Sequence, residues 1–155
     1  MSNKPFVLAA ILAIFVISGC DTAPKEANDP KARLNEYISK SFGAKSFEDK
    51  DALMSYLTGE AKARLSAWSE DQFRQAFIDS KRQFLKLAFR EAKKVSAEET
   101  DITYEISYLD KARGSNVKVT NKKMSQMTYE QGHWMIKDVH NIKELIEYQN
   151  EMSLP

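Results

Sequence analysis

Ile102-Thr103-Tyr104-Glu105-Ile106-Ser107-Tyr108 alternates apolar and polar residues without a break. A period of two is the pattern of a β-strand with one buried face, and the β-branched and aromatic content suits a pleated surface. Arg113-Gly114-Ser115-Asn116 then supplies turn chemistry. Val117 and Val119 restart the alternation, which returns at Met127 and Tyr129 after a slip of phase around Lys122-Lys123. A slip of one residue in an alternating segment predicts a β-bulge. Glu130-Gln131-Gly132 predicts a second turn, and Trp134, Ile136 and Val139 a further strand. Asn141-Ile142-Lys143-Glu144 has the spacing of a capping box, so Ile142, Leu145 and Ile146 are expected on a short closing helix.

Upstream the period lengthens. Asp29-Pro30 pairs a capping acid with a proline suited to the first helical position, and Leu34, Tyr37, Ile38 and Phe42 follow at helical spacing up to Gly43, expected as a left-handed stop. Ser46 is expected to open a second helix with Leu53, Met54 and Leu57, broken at Thr58-Gly59, and Ala61 to Trp68 a third. Ser69-Glu70-Asp71-Gln72 is a capping box, with Trp68 placed to pack across it on Phe73. Projected at helical spacing, Phe73, Ala76, Phe77, Phe84, Leu87, Ala88 and Ala92 fall on one broad face, predicting a long core helix over 69–93. A membrane-surface helix is the alternative, opposed by the mixed signs of charge on its polar face.

Ahead of all this, Phe6 to Ile17 is a twelve-residue apolar run behind Lys4, too short for a span of about 20 residues and suited to a secretion leader. It ends in Ile17-Ser18-Gly19-Cys20, with the only cysteine of the chain. These residues resemble the bacterial lipoprotein signal. The resemblance implies cleavage after Gly19, a diacylglyceryl group on the Cys20 thiol and further fatty acylation of the palmitate type at the new amino terminus. Asp21 resembles the enterobacterial signal for retention in the inner membrane. The expected location is therefore the periplasmic face of that membrane where the Asp21 rule holds, and otherwise the outer membrane or cell surface. Residues 1–19 are expected as signal peptide, 20–29 as a lipidated polar tether and 30–150 as one domain. Nine polar residues would hold that domain within roughly 15–18 Å of the lipid.

The 155 residues carry a formal charge of +1, with neither the basic excess nor the aromatic-basic motif of a nucleic-acid binder. Lys111, Arg113, Lys118, Lys122 and Lys123 do concentrate positive charge on one hairpin. That is the usual dress of a solvated sheet edge, or a surface for anionic headgroups near a bilayer.

Helices followed by a meandering antiparallel sheet, with Thr128-Tyr129-Glu130-Gln131-Gly132-His133-Trp134-Met135-Ile136-Lys137-Asp138-Val139 closing it, resemble the nuclear transport factor 2-like fold. A cystatin-like shell is the neighbouring possibility. The resemblance implies an α+β cone, N-terminal helices on a curved sheet, followed here by a short C-terminal helix. It implies a pocket in which ketosteroid-isomerase-like and SnoaL-like enzymes hold an acid-base pair. Asp101, Tyr104, Tyr108, Asp110, His133, Asp138 and His140 are the candidates for such a pair. None lies in a diagnostic motif, His133 and His140 match no zinc spacing, and no Gly-rich phosphate loop or Gly-x-Ser-x-Gly elbow is present. The expectation is a non-catalytic protein without cofactor or metal. It would bind a small apolar ligand, with Tyr104 and Tyr108 donating hydrogen bonds, or an envelope protein partner; an acid-base enzyme is the alternative.

Overall fold

A computed structural model of the chain describes residues 29–114 and 117–148. The leader, the lipidation site and all of the tether before Asp29 lie outside the described residues, as do Ser115 and Asn116 of the first turn. Helices α1 (Pro30–Gly43), α2 (Asp49–Met54), α3 (Gly59–Ser66) and α4 (Glu70–Phe73) precede four strands, β1 (Arg82–Lys94), β2 (Glu99–Asp110), β3 (Val117–Glu130) and β4 (His133–Tyr148). The strands form one antiparallel meander in the order β1-β2-β3-β4.

The helical starts follow their capping chemistry. Asp29 accepts from the Lys31 N–H at 3.1 Å, and Ser69 and Gln72 complete a reciprocal capping box. Gly43 does end α1, but through an extended Ala44 rather than a left-handed glycine. Gly59 is the residue that needs its missing Cβ. Its φ of +50° is strained for other residues, and a Cβ there would lie 3.3 Å from the Lys137 carbonyl oxygen. That close approach seats the 56–58 segment on β4. The Thr58 N–H donates to the Ile136 carbonyl, and the Ile136 N–H to the Tyr56 carbonyl, each at 2.9 Å. The β4 edge is thereby paired at Ile136.

Two predicted helices are strands. α4 continues only as a π-helical turn (Arg74–Ile78), closed by the Asp79 N–H on the Arg74 carbonyl at 2.7 Å, and the chain then reverses into β1. The misreading has a geometric cause. β1 is bulged between Phe84 and Lys86 and again between Phe89 and Glu91. Its residues facing Tyr108, Ile106, Tyr104 and Ile102 are therefore Phe84, Leu87, Phe89 and Ala92, in steps of three and two that imitate a helical stripe. Tertiary pairing outweighs the helix-forming composition here. A helix over 82–94 would strip β2 of a whole ladder of partners, at about 1–3 kcal/mol for each buried group left unsatisfied.

β4 behaves likewise. Bulges opposite Gln126/Met127 and Lys122/Lys123 shift its inward residues from Ile136 to Val139, Asn141, Glu144 and Ile146, so no C-terminal helix is present among the described residues. The bulge expected in β3 at Lys122-Lys123 is not there: β3 pairs residue by residue with both neighbours, and the extra residue opposite that point is Ile142 of β4.

The core lies between the helices and the inner sheet face. Leu34, Leu53, Leu57, Phe73, Ile102, Met127 and Ile136 are its most buried apolar side chains. Phe73 stacks between Phe47 and Phe77, with ring centroids 5.8 and 4.9 Å away, and Trp68 packs on Phe77 rather than on Phe73. Two basic side chains tie the layers together. Arg33 lies 3.8 Å over the Tyr56 ring while donating to the Trp134 and Ser55 carbonyls, and Lys50 donates to the Ser66 and Trp68 carbonyls at the end of α3.

Candidate functional site

The bulged sheet bends around α1 and leaves a cavity of about 470 Å³ between its inner face and the helices. That volume is within the range of small-ligand pockets. The inward alternation of β2 brings Tyr104, Ile106 and Tyr108 to its wall, and that of β3 brings Asn121 and Lys123. β4 contributes Val139 and Asn141 after its bulges, and β1 contributes Arg82. Tyr37, Ile38, Ser41 and Phe42 line the opposite side from α1, with Trp68, Phe77 and Arg64 at the other helices.

Three phenols give this largely apolar space its polar interior. Burial pushes the Tyr104 hydroxyl up to about 12, partly opposed by the Ser125 hydroxyl beside it. Burial also pushes Tyr37 up to about 12, with the proximity of Tyr104 a second cause. Both are therefore neutral donors at ordinary pH. Tyr108 accepts a hydrogen bond from Asn121 Nδ2 at 3.2 Å, which leaves its own proton available. Ser125 Oγ is wholly buried and makes no hydrogen bond of good geometry.

The cavity wall is one-sided in charge. Lys123 faces Tyr104 across the β2–β3 ladder, and burial, reinforced by the charge of Arg82, pulls its ammonium below the usual lysine range. Arg82 lies over the Tyr108 ring at 5.4 Å. Arg64 is paired with Asp138. Among the described residues, no aspartate, glutamate or histidine lines the cavity.

The other candidates are elsewhere. Asp110 is buried at the end of β2, where it accepts from the Ala112 N–H and pairs with Arg113 Nε at 3.2 Å, a turn-closing role. Asp101 lines a separate depression with Glu99 and Lys137. His133 is exposed at the start of β4. Asp138 and His140 do come together, with Nε2 3.1 Å from Oδ2, and the Arg64 hydrogen bond holds the Asp138 carboxyl below the usual range. Asp138 and His140 are not on the cavity lining, although Arg64, the partner of Asp138, is. Among the described residues, no group of three or more His, Cys, Asp or Glu is placed to hold a metal ion.

Lys123, Arg82, Tyr37 and Trp68 are cavity residues that sequence reasoning did not select. Lys123 was legible, as it continues the odd-numbered series of Val117, Val119 and Asn121. Arg82 was not, because it fell on the polar side of a helix that does not form. Two of the five basic hairpin residues are paired: Arg113 serves Asp110 and Glu144, and Lys118 pairs with Glu147 at 2.9 Å.

No family model and no curated protein sequence matches the chain. Among solved structures, it is similar to a SEC-C motif containing protein from Rhodopseudomonas palustris, with 15% identity over 73% of this chain and 75% of that one and a TM-score of 0.50. It is also similar to the intermembrane space region of the chloroplast protein ARC6 (11% identity, 74% and 96% coverage, TM-score 0.49). An NTF-2 like protein of unknown function from Shewanella oneidensis gives 12% identity, 73% and 98% coverage and a TM-score of 0.48. At such identities the likeness is one of fold alone, an α+β arrangement of helices on an antiparallel sheet.

Proposed function

We propose that this chain is a lipid-anchored protein of the bacterial cell envelope whose nuclear transport factor 2-like cone binds a small, largely apolar ligand. The observation that carries the binding half is the cavity of about 470 Å³, walled by aromatic and aliphatic side chains, with neutral phenols and no carboxylate or imidazole on its lining. Such a site can enclose and orient a molecule through its apolar walls and phenol donors. The anchoring half is supported by Ile17-Ser18-Gly19-Cys20 behind a short apolar core. Two or three acyl chains, at about 0.8 kcal/mol per buried methylene, suffice to hold a domain at a bilayer where one does not. Asp21 supports the inner membrane as the location.

A protein partner is the second reading. The uncovered strand edges carry Phe84 and Leu85 on β1 and Ile142, Leu145 and Tyr148 on β4, all exposed. An acid-base enzyme would draw on the Asp138–His140 pair, which meets the cavity lining only through Arg64.

Each half has its own test. Fatty-acid metabolic labelling is expected to mark the wild type and not Cys20→Ser; equal label in both removes the anchor. Calorimetric titration of the full chain in zwitterionic nanodiscs with 4-phenylbutan-1-ol is expected to give saturable heat above that of empty nanodiscs. Absence of that heat removes the cavity as a binding site.

A further inference from the structure

We propose that the ligand of the cone carries an anionic head on its apolar body, the head resting between Arg82 and Lys123 on the cavity lining. This inference rests on the cavity-binding reading and adds the charge and direction of the ligand. Both cations reach the same cavity, Lys123 from β3 and Arg82 from β1, on either side of the tyrosines of β2. Each lacks a carboxylate within ion-pair distance among the described residues.

The carboxylates that could have served them are committed elsewhere. Asp110 is the cross-strand partner of Arg82, yet it is held by Arg113 at 3.2 Å. Glu144 is the nearby acid that favours the charged form of Lys123, and it too is engaged by Arg113, at 3.6 Å. Arg64, the third cation of the wall, is paired with Asp138. Two like charges thus reach one cavity, the half-buried Lys123 and the exposed Arg82, an arrangement relieved by an anion. A guanidinium stacked on an aromatic ring keeps its edge free for bidentate binding of a carboxylate or phosphate, while an ammonium adds a point charge from the other side.

Polarity then sets the direction of entry. The lining is cationic at Arg82 and Lys123, and Trp68 and Phe77 line the space along with Ile38 and Ile106. The body of the ligand is directed toward these apolar side chains, and the Tyr37 and Tyr104 hydroxyls meet any polar atom along it. Amphiphilic carboxylates and phosphate monoesters share this chemistry, and the probes separate them.

The test uses the full chain in zwitterionic nanodiscs, titrated by calorimetry with 4-phenylbutyrate, 4-phenylbutyl phosphate, 4-phenylbutan-1-ol, 4-phenylbutylammonium and inorganic phosphate. The two anions are expected to bind about tenfold or more tightly than the alcohol. The ammonium is expected to bind more weakly than the alcohol, and phosphate alone to give no saturable heat. In Arg82→Gln combined with Lys123→Gln, the anions should fall to the affinity of the alcohol. A circular-dichroism spectrum and urea midpoint matching those of the wild type show that the fold of that variant is retained. Equal affinity of anions and alcohol in the wild type overturns the charged head but leaves the cavity standing. Failure of the alcohol and anions alike overturns the cavity itself. Inorganic phosphate binding as tightly as the phenylbutyl anions overturns the apolar body.

Discussion

Replacing Tyr104 by Phe removes one hydroxyl from the cavity wall and changes how stability depends on alkaline pH. The ring is 3% exposed, and burial raises its phenol from 10.0 to about 12. A raised pKa means that the folded protein keeps the proton while the unfolded chain gives it up. The unfolded state therefore binds fewer protons between pH 10 and 12, and the contribution is fully present below pH 10 and lost as pH climbs through that window. Two units at about 1.4 kcal/mol each give roughly 2–3 kcal/mol for this residue. With an m-value of about 2 kcal/mol/M, the urea midpoint of the wild type should fall by about 1 M more than that of Tyr104→Phe over the same range. Near neutrality the variant should lose no more than about 1 kcal/mol, the worth of one hydroxyl contact. Parallel midpoints from pH 8 to 12 would show that Tyr104 ionises as it does in water, and that the cavity wall is wet.

Phe73→Ala is expected to cost about 3–5 kcal/mol, since its wholly buried ring is clasped by Phe47 and Phe77; a urea midpoint within 0.5 M of wild type contradicts that packing, at about 2 kcal/mol/M. Gly59→Ala should cost about 1–3 kcal/mol through its positive φ and the nearby Lys137 carbonyl. Hydrogen exchange should then speed up first at Thr58 and Ile136, whose amides form the bridge to β4.

How much of the fold was legible depended on whether a strand kept its phase. β2 alternates from Thr100 to Asp110 without interruption and was read correctly on both faces. β3 keeps one phase from Val117 to Met127, its polar residues at 121–123 only interrupting the apolar series, so it too was read as a strand, although the bulge expected in it lies in β4. β1 has two bulges within thirteen residues, and its composition is rich in helix formers, so local pattern and propensity agreed on the wrong structure. Only the need of β2 for a hydrogen-bonded neighbour decides otherwise, and that need is non-local. β4 failed for the same reason beyond Val139, with a capping-box spacing adding a false start. The helical starts at Asp29 and Ser69 succeeded because capping is chemistry within four residues. The site inherited both outcomes. Tyr104 and Tyr108 follow from the alternation of β2, whereas Arg82 required knowing that β1 is a strand. The Arg64–Asp138–His140 cluster joins α3 to β4 across the tertiary fold, which no spacing in the sequence announces.

The most direct test of the cone as a binding site is chemical-shift mapping of the isotope-labelled full chain in nanodiscs as 4-phenylbutan-1-ol is added. The shifts should concentrate on the side chains of Tyr37, Trp68, Tyr104, Tyr108 and Val139, which surround one cavity from three directions. Shifts confined instead to Phe84, Leu85, Ile142, Leu145 and Tyr148 on the exposed strand edges would contradict enclosure of the ligand and leave the sheet rim as the binding surface.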